Sequence, residues 1–243
     1  MLRCARYTLL TIAAMALVAV AQPAQGQEVI DLGSGFACEG NRALGDHTST
    51  AGDTLTVVGY VVNFNDPFGD LDANDPDKEY TYIYSELVSN GTTVSSFPSG
   101  ADSICIYETT YTGGTLQIFC DDGQDGDYGN KGTFANGELI LSFSLEGLTT
   151  STFTRKISPS FFELDLCTGN TEPEDLTVTG GSYGDRLSEC PIVQTNAGTV
   201  IVCTDIDTEV PDGYFGKIDT KIDAECPVPV DPRSWGELKR GDF

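Results

Sequence analysis

The sequence has few basic residues and almost no histidine. Its 243 residues contain 13 Lys and Arg against 37 Asp and Glu, for a formal net charge of −24, with one His, one Trp and two Met. So acidic a surface repels phosphate backbones, which disfavours direct nucleic-acid binding. A single histidine excludes a His-ligated zinc site and a two-His iron site. Hydrophobic residues still form 40% of the chain, which indicates a folded protein with a sizeable core.

Long apolar runs are also scarce, and the only one lies at the N terminus. Residues 1–6 carry two arginines and no acid, residues 7–21 are apolar, and small residues fit a cleavage pattern at Ala21 and again at Gly26. The apolar run is shorter than the roughly 18 residues of a spanning helix. We predict a signal peptide over residues 1–26, cleaved near Ala21 or Gly26, and a secreted, extracellular protein. The alternative is an uncleaved membrane anchor.

Export changes how the eight cysteines are interpreted. Cys4 lies in the predicted signal peptide, and the other seven enter an oxidising compartment that favours disulfides. An odd number leaves one thiol free or intermolecular.

Two cysteine pairs are placed for cross-strand disulfides. Cys105 and Cys120 flank the turn signal at Gly113-Gly114, and Cys190 and Cys203 flank a second turn in the same way. If each turn closes a hairpin, the two sulfurs of a pair face the same side. The alternative is bridging to the remaining mature cysteines, which are Cys38, Cys167 and Cys226.

Alternation of apolar and polar residues dominates the mature chain, and helical periodicity is almost absent. Residues 139–145 show the pattern of a strand with one buried face, interrupted once at Ile140. Similar patterns predict strands over residues 58–64, 80–84, 103–110, 115–120, 176–179, 192–195 and 199–203. Glycine-containing turn signals separate them. We therefore predict an all-β fold, an antiparallel, jelly-roll-like β-sandwich forming a single domain over residues 28–226, with closure of the sheet on itself as the alternative.

The densest acidic loop is a candidate calcium site. Asp70, Asp72 and Asp77 lie in a run of acidic and Asn residues whose oxygens suit Ca²⁺, which takes six to eight such ligands. The EF-hand template does not fit, because Asp75 stands where that loop requires Gly. A solvated acidic loop without metal is the alternative.

Alternating tyrosines are a candidate carbohydrate-binding surface. Tyr80, Tyr82 and Tyr84 share one face of a predicted strand, and Tyr107 and Tyr111 follow. Tyr offers an apolar ring face and a polar tip, which suits sugar stacking. Ordinary packing within the sheet is the alternative.

The sequence contains little that indicates a catalytic site. His47 is the only imidazole and lies in a polar, loop-like stretch, so a surface histidine is the preferred interpretation. Glycoside hydrolysis needs two carboxylates at a defined separation, which the sequence does not locate. We predict no catalytic residue.

The C-terminal residues 227–243 form a Pro-rich linker followed by a short peptide that holds Trp235, the only tryptophan. So short a helix is marginal alone. The peptide is therefore either a docking segment that binds a partner through Trp235 or a frayed end.

Several short motifs occur in an order that resembles a group of secreted bacterial all-β proteins with a C-terminal Trp-Gly-x-x-Lys tail. The motifs are Glu79-Tyr-Thr-Tyr82, Tyr111-Thr-Gly-Gly114, Asp127-Tyr-Gly129, Thr133-Phe-Ala-Asn-Gly137, Pro211-Asp-Gly-Tyr214, Lys217-Ile-Asp219 and Ser234-Trp-Gly-x-x-Lys239. The resemblance implies export and an all-β fold, and it assigns no activity.

Together these observations predict a secreted, non-catalytic extracellular or cell-surface binding or structural protein with an unknown ligand or surface partner. A carbohydrate-binding module and a glycoside hydrolase-like enzyme with paired carboxylates are the alternatives.

Overall fold

The computed structural model describes residues 26–160, 162–188, 190, 192–196, 200–201 and 210–225. In these ranges the chain is mostly strand, with two single 3₁₀ turns at Lys131–Ala135 and Gly184–Leu187. The strands are β1 (Gln27–Glu39), β2 (Thr54–Tyr60), β3 (Asn63–Phe64), β4 (Glu79–Ser99), β5 (Asp102–Thr112), β6 (Thr115–Asp121), β7 (Glu138–Ser144), β8 (Gly147–Ile157), β9 (Phe162–Glu174), β10 (Thr177–Gly180), β11 (Ile192–Asn196), β12 (Val200–Ile201) and β13 (Gly216–Ala224). None of the helical turns in this part of the chain is long and apolar enough to cross a membrane.

All the strands belong to one curled antiparallel sheet, which confirms the all-β prediction. The main path of hydrogen-bonded neighbours is β10-β7-β6-β4-β2-β1-β13-β11. Off this path, β5 pairs with both β4 and β8, and β8 also pairs with β9. The sheet curls far enough that β12 lies beside β8 and β9, although β12 pairs with β13 near the other end of the path.

Four long chain segments cross a shared bend in this sheet. The pairing Ser85↔Thr115 between β4 and β6 continues as Val88↔Thr112 between β4 and β5 with no residue inserted. The pairing of Thr115 with Ser144 likewise continues as Thr112 with Gly147. Strands β5 and β6 are therefore one interrupted strand, as are β7 and β8, and β9 and β10.

The bend explains why the predicted hairpin at Gly113-Gly114 is wrong. Gly113 has φ +70° and Gly114 φ +119°, and both still bond to the neighbouring strand, since Gly113 N donates to Glu146 O at 2.7 Å and Gly114 O accepts from Leu145 N at 2.9 Å. Glu86 and Asp175, which also have a left-handed backbone conformation, lie at the same bend on the flanking segments. The glycines therefore tilt a continuing strand and do not reverse it.

The bend divides the long segments into two halves, which we name by their strands. The proximal half contains β6, β7, β10 and residues 79–85 of β4, and it adjoins β2, β1 and β13. The distal half contains β5, β8, β9 and residues 88–99 of β4.

The main core packs against the proximal half. Val57 on β2 faces the main cluster of buried residues, while its neighbour Val58 faces a second cluster with Phe134 and Tyr214. The sheet is therefore covered on both faces at β2. The main cluster includes the fully buried side chains Leu32, Leu55, Phe68, Tyr82, Leu116, Ile118 and Phe143.

Ile140 interrupts the alternation of β7 because it lies in a bulge. Ile118 pairs with Leu141, but the next residue, Phe119, pairs with Leu139. Ile140 is the extra residue, and it is buried like Leu141. A bulge admits two consecutive inward side chains, which period two alone does not.

Candidate interaction surfaces

The three tyrosines predicted to bind sugars are buried. Tyr80, Tyr82 and Tyr84 are 7%, 0% and 1% exposed, and Tyr82 donates to the carbonyl of Gly33 at 3.4 Å. Burial raises the pKa of Tyr84 to about 12. The prediction of a stacking platform is therefore wrong, because this face of β4 points into the main core.

The three predicted calcium ligands have different hydrogen-bond partners in the structure. Both carboxylate oxygens of Asp70 accept bonds from Arg186, and these bonds hold the pKa of Asp70 below its usual range. Asp72 accepts a backbone N–H two residues on, at 2.9 Å, and Asp77 donates its own N–H to Asp75 at 2.9 Å. In the described ranges no three His, Cys, Asp or Glu side chains are grouped to hold a metal ion. The calcium site stays a prediction.

Among the described cysteines, Cys38, Cys105 and Cys120 are free thiols. Cys105 lies on distal β5 and Cys120 on proximal β6, so the bend separates them along one interrupted strand. The predicted Cys105–Cys120 disulfide is therefore wrong, since it required the hairpin. Cys190 is disulfide-bonded, but Cys203 lies outside the described residues, so that predicted pair stays a prediction.

Two other predictions also lie outside the described residues. These are the signal peptide up to residue 25 and the C-terminal segment 227–243 with Trp235.

A buried ion pair joins the end of β1 to the distal half. The side chains of Glu39 and Arg42 are 1% and 5% exposed and meet at 2.9 Å. The Tyr111 hydroxyl donates to the same carboxylate at 3.0 Å, and the Ser49 hydroxyl bonds its other oxygen. The Arg42 guanidinium also stacks over the Phe215 ring at 3.9 Å. Because the Glu39 and Arg42 side chains are almost fully buried, this cluster fixes the loop after β1 against the sheet.

His47 packs against the inner face of the distal half, so its interpretation as a surface histidine is wrong. Its side chain is 11% exposed, and its Nε2 lies 3.0 Å from Oδ2 of Asp165. Its Nδ1 lies 2.8 Å from the Thr152 hydroxyl, and its ring lies 5.0 Å from that of Tyr107. With Nε2–H donating to the carboxylate, Nδ1 accepts from the hydroxyl.

This arrangement resembles a Thr-His-Asp relay only in its order of hydrogen bonds. Thr152 is 2% exposed and sits in mid-strand, paired on both sides by β5 and β9. A nucleophile must be reached by its substrate, and His47 itself covers this hydroxyl. The contact therefore anchors the loop.

Glu163 is the second carboxylate on this inner face. It accepts from Tyr107 at 2.6 Å and from Thr154, and these two bonds, Thr154 first, lower the pKa of Glu163. Burial, followed by Glu163 itself, raises the pKa of Tyr107 to about 12. A glycosidase general acid needs a raised pKa, so Glu163 is not suited to that role.

A cavity of about 480 Å³ lies between residues 40–44 and 210–214. Its size is in the range of ligand sites. Its one cationic lining residue, Arg42, is already neutralised by Glu39. The cavity therefore offers an incoming anion no uncompensated charge.

The outer face of the distal half is exposed and carries several large apolar side chains. The register places Phe97, Ile104, Arg155 and Leu164 in one row across the strands. Arg155, which is ion-paired with Asp102, therefore lies among the apolar side chains of this face. Phe97, Phe162, Leu164 and Leu166 are 46%, 61%, 41% and 36% exposed. The half-buried side chains Ile104, Ile106, Phe153 and Ile157 fill the same face.

Strand β9 turns its polar side chains toward the inside of the sheet and its apolar side chains toward solvent, which is the reverse of the usual arrangement in a strand. Its acidic residues Glu163 and Asp165 point inward to Tyr107, Thr154 and His47, so its apolar residues point outward. Sequence reasoning missed this strand and its face. The alternation Phe-Glu-Leu-Asp-Leu over residues 162–166 was the available signal.

No family model, curated protein or solved structure matches this chain.

Proposed function

We propose that the protein is a secreted, non-catalytic binding or structural protein of the cell exterior, attached to a protein component of the cell envelope through the distal outer face. The observation that carries this proposal is the inverted strand β9, which exposes Phe162, Leu164 and Leu166 together. Contiguous apolar patches on soluble proteins mark interaction sites, whereas single exposed hydrophobic residues do not.

The inner hydrogen bonds support the proposal because they fix which face is outward. A one-residue slip of β9 would turn its apolar side chains inward. That slip would also take Glu163 away from Tyr107 and Asp165 away from His47, so these partly buried polar groups would lose their hydrogen-bond partners. The exposure of the apolar face is therefore built into the register.

Four of the seven large hydrophobic side chains that are exposed in the described residues lie on this face. The others are separate valines, of which Val62 (52% exposed) lies beside Gly33 away from the patch. Val62 thus offers a matched control, with similar exposure and no apolar patch around it.

Two further predictions complete the proposal. Residues 1–26 have the pattern of a signal peptide, which supports export. The jelly-roll-like sandwich is our proposal for how the curled sheet closes over its core, supported by the position of β12 beside β9.

Binding of the mature protein to envelopes of the producing cell tests this function. We expect Phe162→Ser and Leu164→Ser each to weaken co-sedimentation by about tenfold or more, as buried apolar anchors do, while Val62→Ser binds like wild type. Protease treatment of the envelopes should abolish binding. If both patch variants bind like the control, or if treated envelopes still bind, the proposed attachment is wrong.

A further inference from the structure

The cavity beside Arg42 has walls that are fixed by hydrogen bonds of the protein itself. Each lining segment contains a turn closed through the backbone, from Arg42 N to Glu39 O at 2.9 Å and from Tyr214 N to Pro211 O at 3.2 Å. The Arg42 guanidinium also stacks on the Phe215 ring at 3.9 Å, which joins the two segments. A ligand that enters a cavity already formed in this way loses little free energy in ordering its walls.

Three polar residues on this lining have hydrogen-bonding groups to spare. Asn41 and Asp212 are exposed, and their side chains form no hydrogen bond or ion pair with another residue in the described part of the chain. The Arg42 side chain is 5% exposed, and its Nε donates to a backbone oxygen and its Nη1 to Glu39 and the Tyr111 hydroxyl. Its Nη2 donates to none of the described residues, so two N–H groups remain for a ligand.

We infer that the cavity binds a neutral sugar through Arg42, Asn41 and Asp212. An anion is repelled by the Asp212 carboxylate, and Glu39 already balances the charge of Arg42. An ammonium group pairs with Asp212 but offers Nη2 of Arg42 no acceptor. A hydroxyl group both donates and accepts, so neighbouring sugar hydroxyls satisfy the carboxylate, the guanidinium and the amide of Asn41 together.

The rest of the lining suits the carbon skeleton of a sugar. Leu44, Val210 and Pro211 add apolar surface to the polar groups, and a sugar ring has apolar C–H faces between its hydroxyls. The volume of about 480 Å³ is in the range of sites for small molecules. The cavity lies beside the end of β1 and the residues that precede β13, so sugar binding does not depend on envelope attachment through the distal outer face.

Titrations of the full mature chain followed by NMR test the inference. The probes are glucose, galactose, mannose, N-acetylglucosamine, cellobiose and maltose, with glucuronate and glucosamine as charged sugars. We expect at least one neutral sugar to bind, and the charged sugars to bind more weakly. Asp212→Ala should raise the Kd of the neutral sugar by about tenfold or more and Asn41→Ala by about threefold, because a hydrogen bond to a charged group contributes more than one to a neutral group.

The matched control is Asp77→Ala, which removes an exposed aspartate outside the cavity and should bind the sugar like wild type. Leu164→Ser should also bind it like wild type, so failure of the envelope proposal is recognised separately. The inference is wrong if no neutral sugar binds, or if glucuronate or glucosamine binds as tightly as the best neutral sugar. It is also wrong if folded Asp212→Ala and Asn41→Ala both bind like Asp77→Ala.

Discussion

Individual side chains hold the distal half in place, and most of them are polar. The buried Thr109, Thr152 and Thr154 are each hydrogen-bonded through the hydroxyl group. His47 from the loop after β1 and Glu39 at the end of β1 reach the same face. This face therefore depends on specific hydrogen bonds more than on apolar packing. Removing one partner should be more damaging than removing an equivalent surface group.

The Glu39–Arg42 pair gives the clearest residue-scale prediction. Arg42→Met should lower the free energy of unfolding by about 3–5 kcal/mol, because it leaves a buried carboxylate without its cation. The matched control is Arg155→Met, which breaks the more exposed pair with Asp102 and should cost about 0–1 kcal/mol. Urea denaturation measures both, and equal losses would contradict this account of the pair.

Glu163 gives a pH dependence with a defined sign. Its folded pKa lies below the unfolded value, so the stability it contributes is complete above the unfolded pKa of about 4.3 and is lost as pH falls toward the folded pKa. We expect Glu163→Gln to flatten the fall in melting temperature below that pH. Glu108→Gln, at an exposed glutamate on β5, should keep the wild-type profile. Identical acid profiles for the two variants would show that the hydrogen bonds from Thr154 and Tyr107 do not lower this pKa.

At the scale of elements, the bend is the feature that shapes the sheet. Four segments tilt along one line, at Glu86, Gly113-Gly114, residues 145–146 and Asp175, while their registers continue. The line separates the half that packs against the main core from the half whose outer face exposes Phe162, Leu164 and Leu166. Without the bend, the distal strands would continue straight from the main core.

Gly114 is the position where the bend tolerates no side chain. It has φ +119°, and an added Cβ would approach Leu87 side-chain carbons at 2.7 Å. Gly114→Ala should destabilise the protein by about 1–3 kcal/mol more than Gly100→Ala, which adds a methyl group at φ +68° with nothing within 4 Å. Urea midpoints provide the comparison, and equal effects would mean that the bend does not depend on this close approach.

Much of the strand content could be predicted from the sequence, whereas the connections could not. Alternation located β5, β6, β7 and β10 to within a few residues, because it reports a side chain's face directly. Gly113-Gly114 predicted a reversal, since local sequence gives the left-handed conformation but not whether neighbouring strands continue the ladder. The tyrosines of β4 were assigned to a surface because period two cannot tell which face is inward.

The candidate surface was missed for a related reason. In residues 162–166 the acids face inward, and only their partners His47, Tyr107 and Thr154, distant in sequence, determine this. A single sequence does not show that those partners converge. The polar inner face and the apolar outer face therefore had to be found in three dimensions.

At the scale of the whole molecule, the chain as a whole is strongly acidic, whereas the large exposed apolar side chains are grouped on the distal half. The net charge of −24 keeps separate molecules apart over about 8–10 Å at moderate salt. The distal half combines the uncharged residues 90–100 with an outer face that exposes Phe97, Phe162, Leu164 and Leu166, so we expect close contacts with a partner there. Surface charge thus discourages association elsewhere on the molecule and permits it at the distal half.

The central claim, that the distal outer face is the binding surface, is tested most directly by carbene footprinting of the mature protein with and without envelopes of the producing cell. We predict strong labelling of Phe97, Phe162, Leu164 and Leu166 in the free protein and protection of all four on binding, with Val62 labelled equally in both states. A face already unlabelled in the free protein, or one labelled to the same extent when bound, would contradict the account.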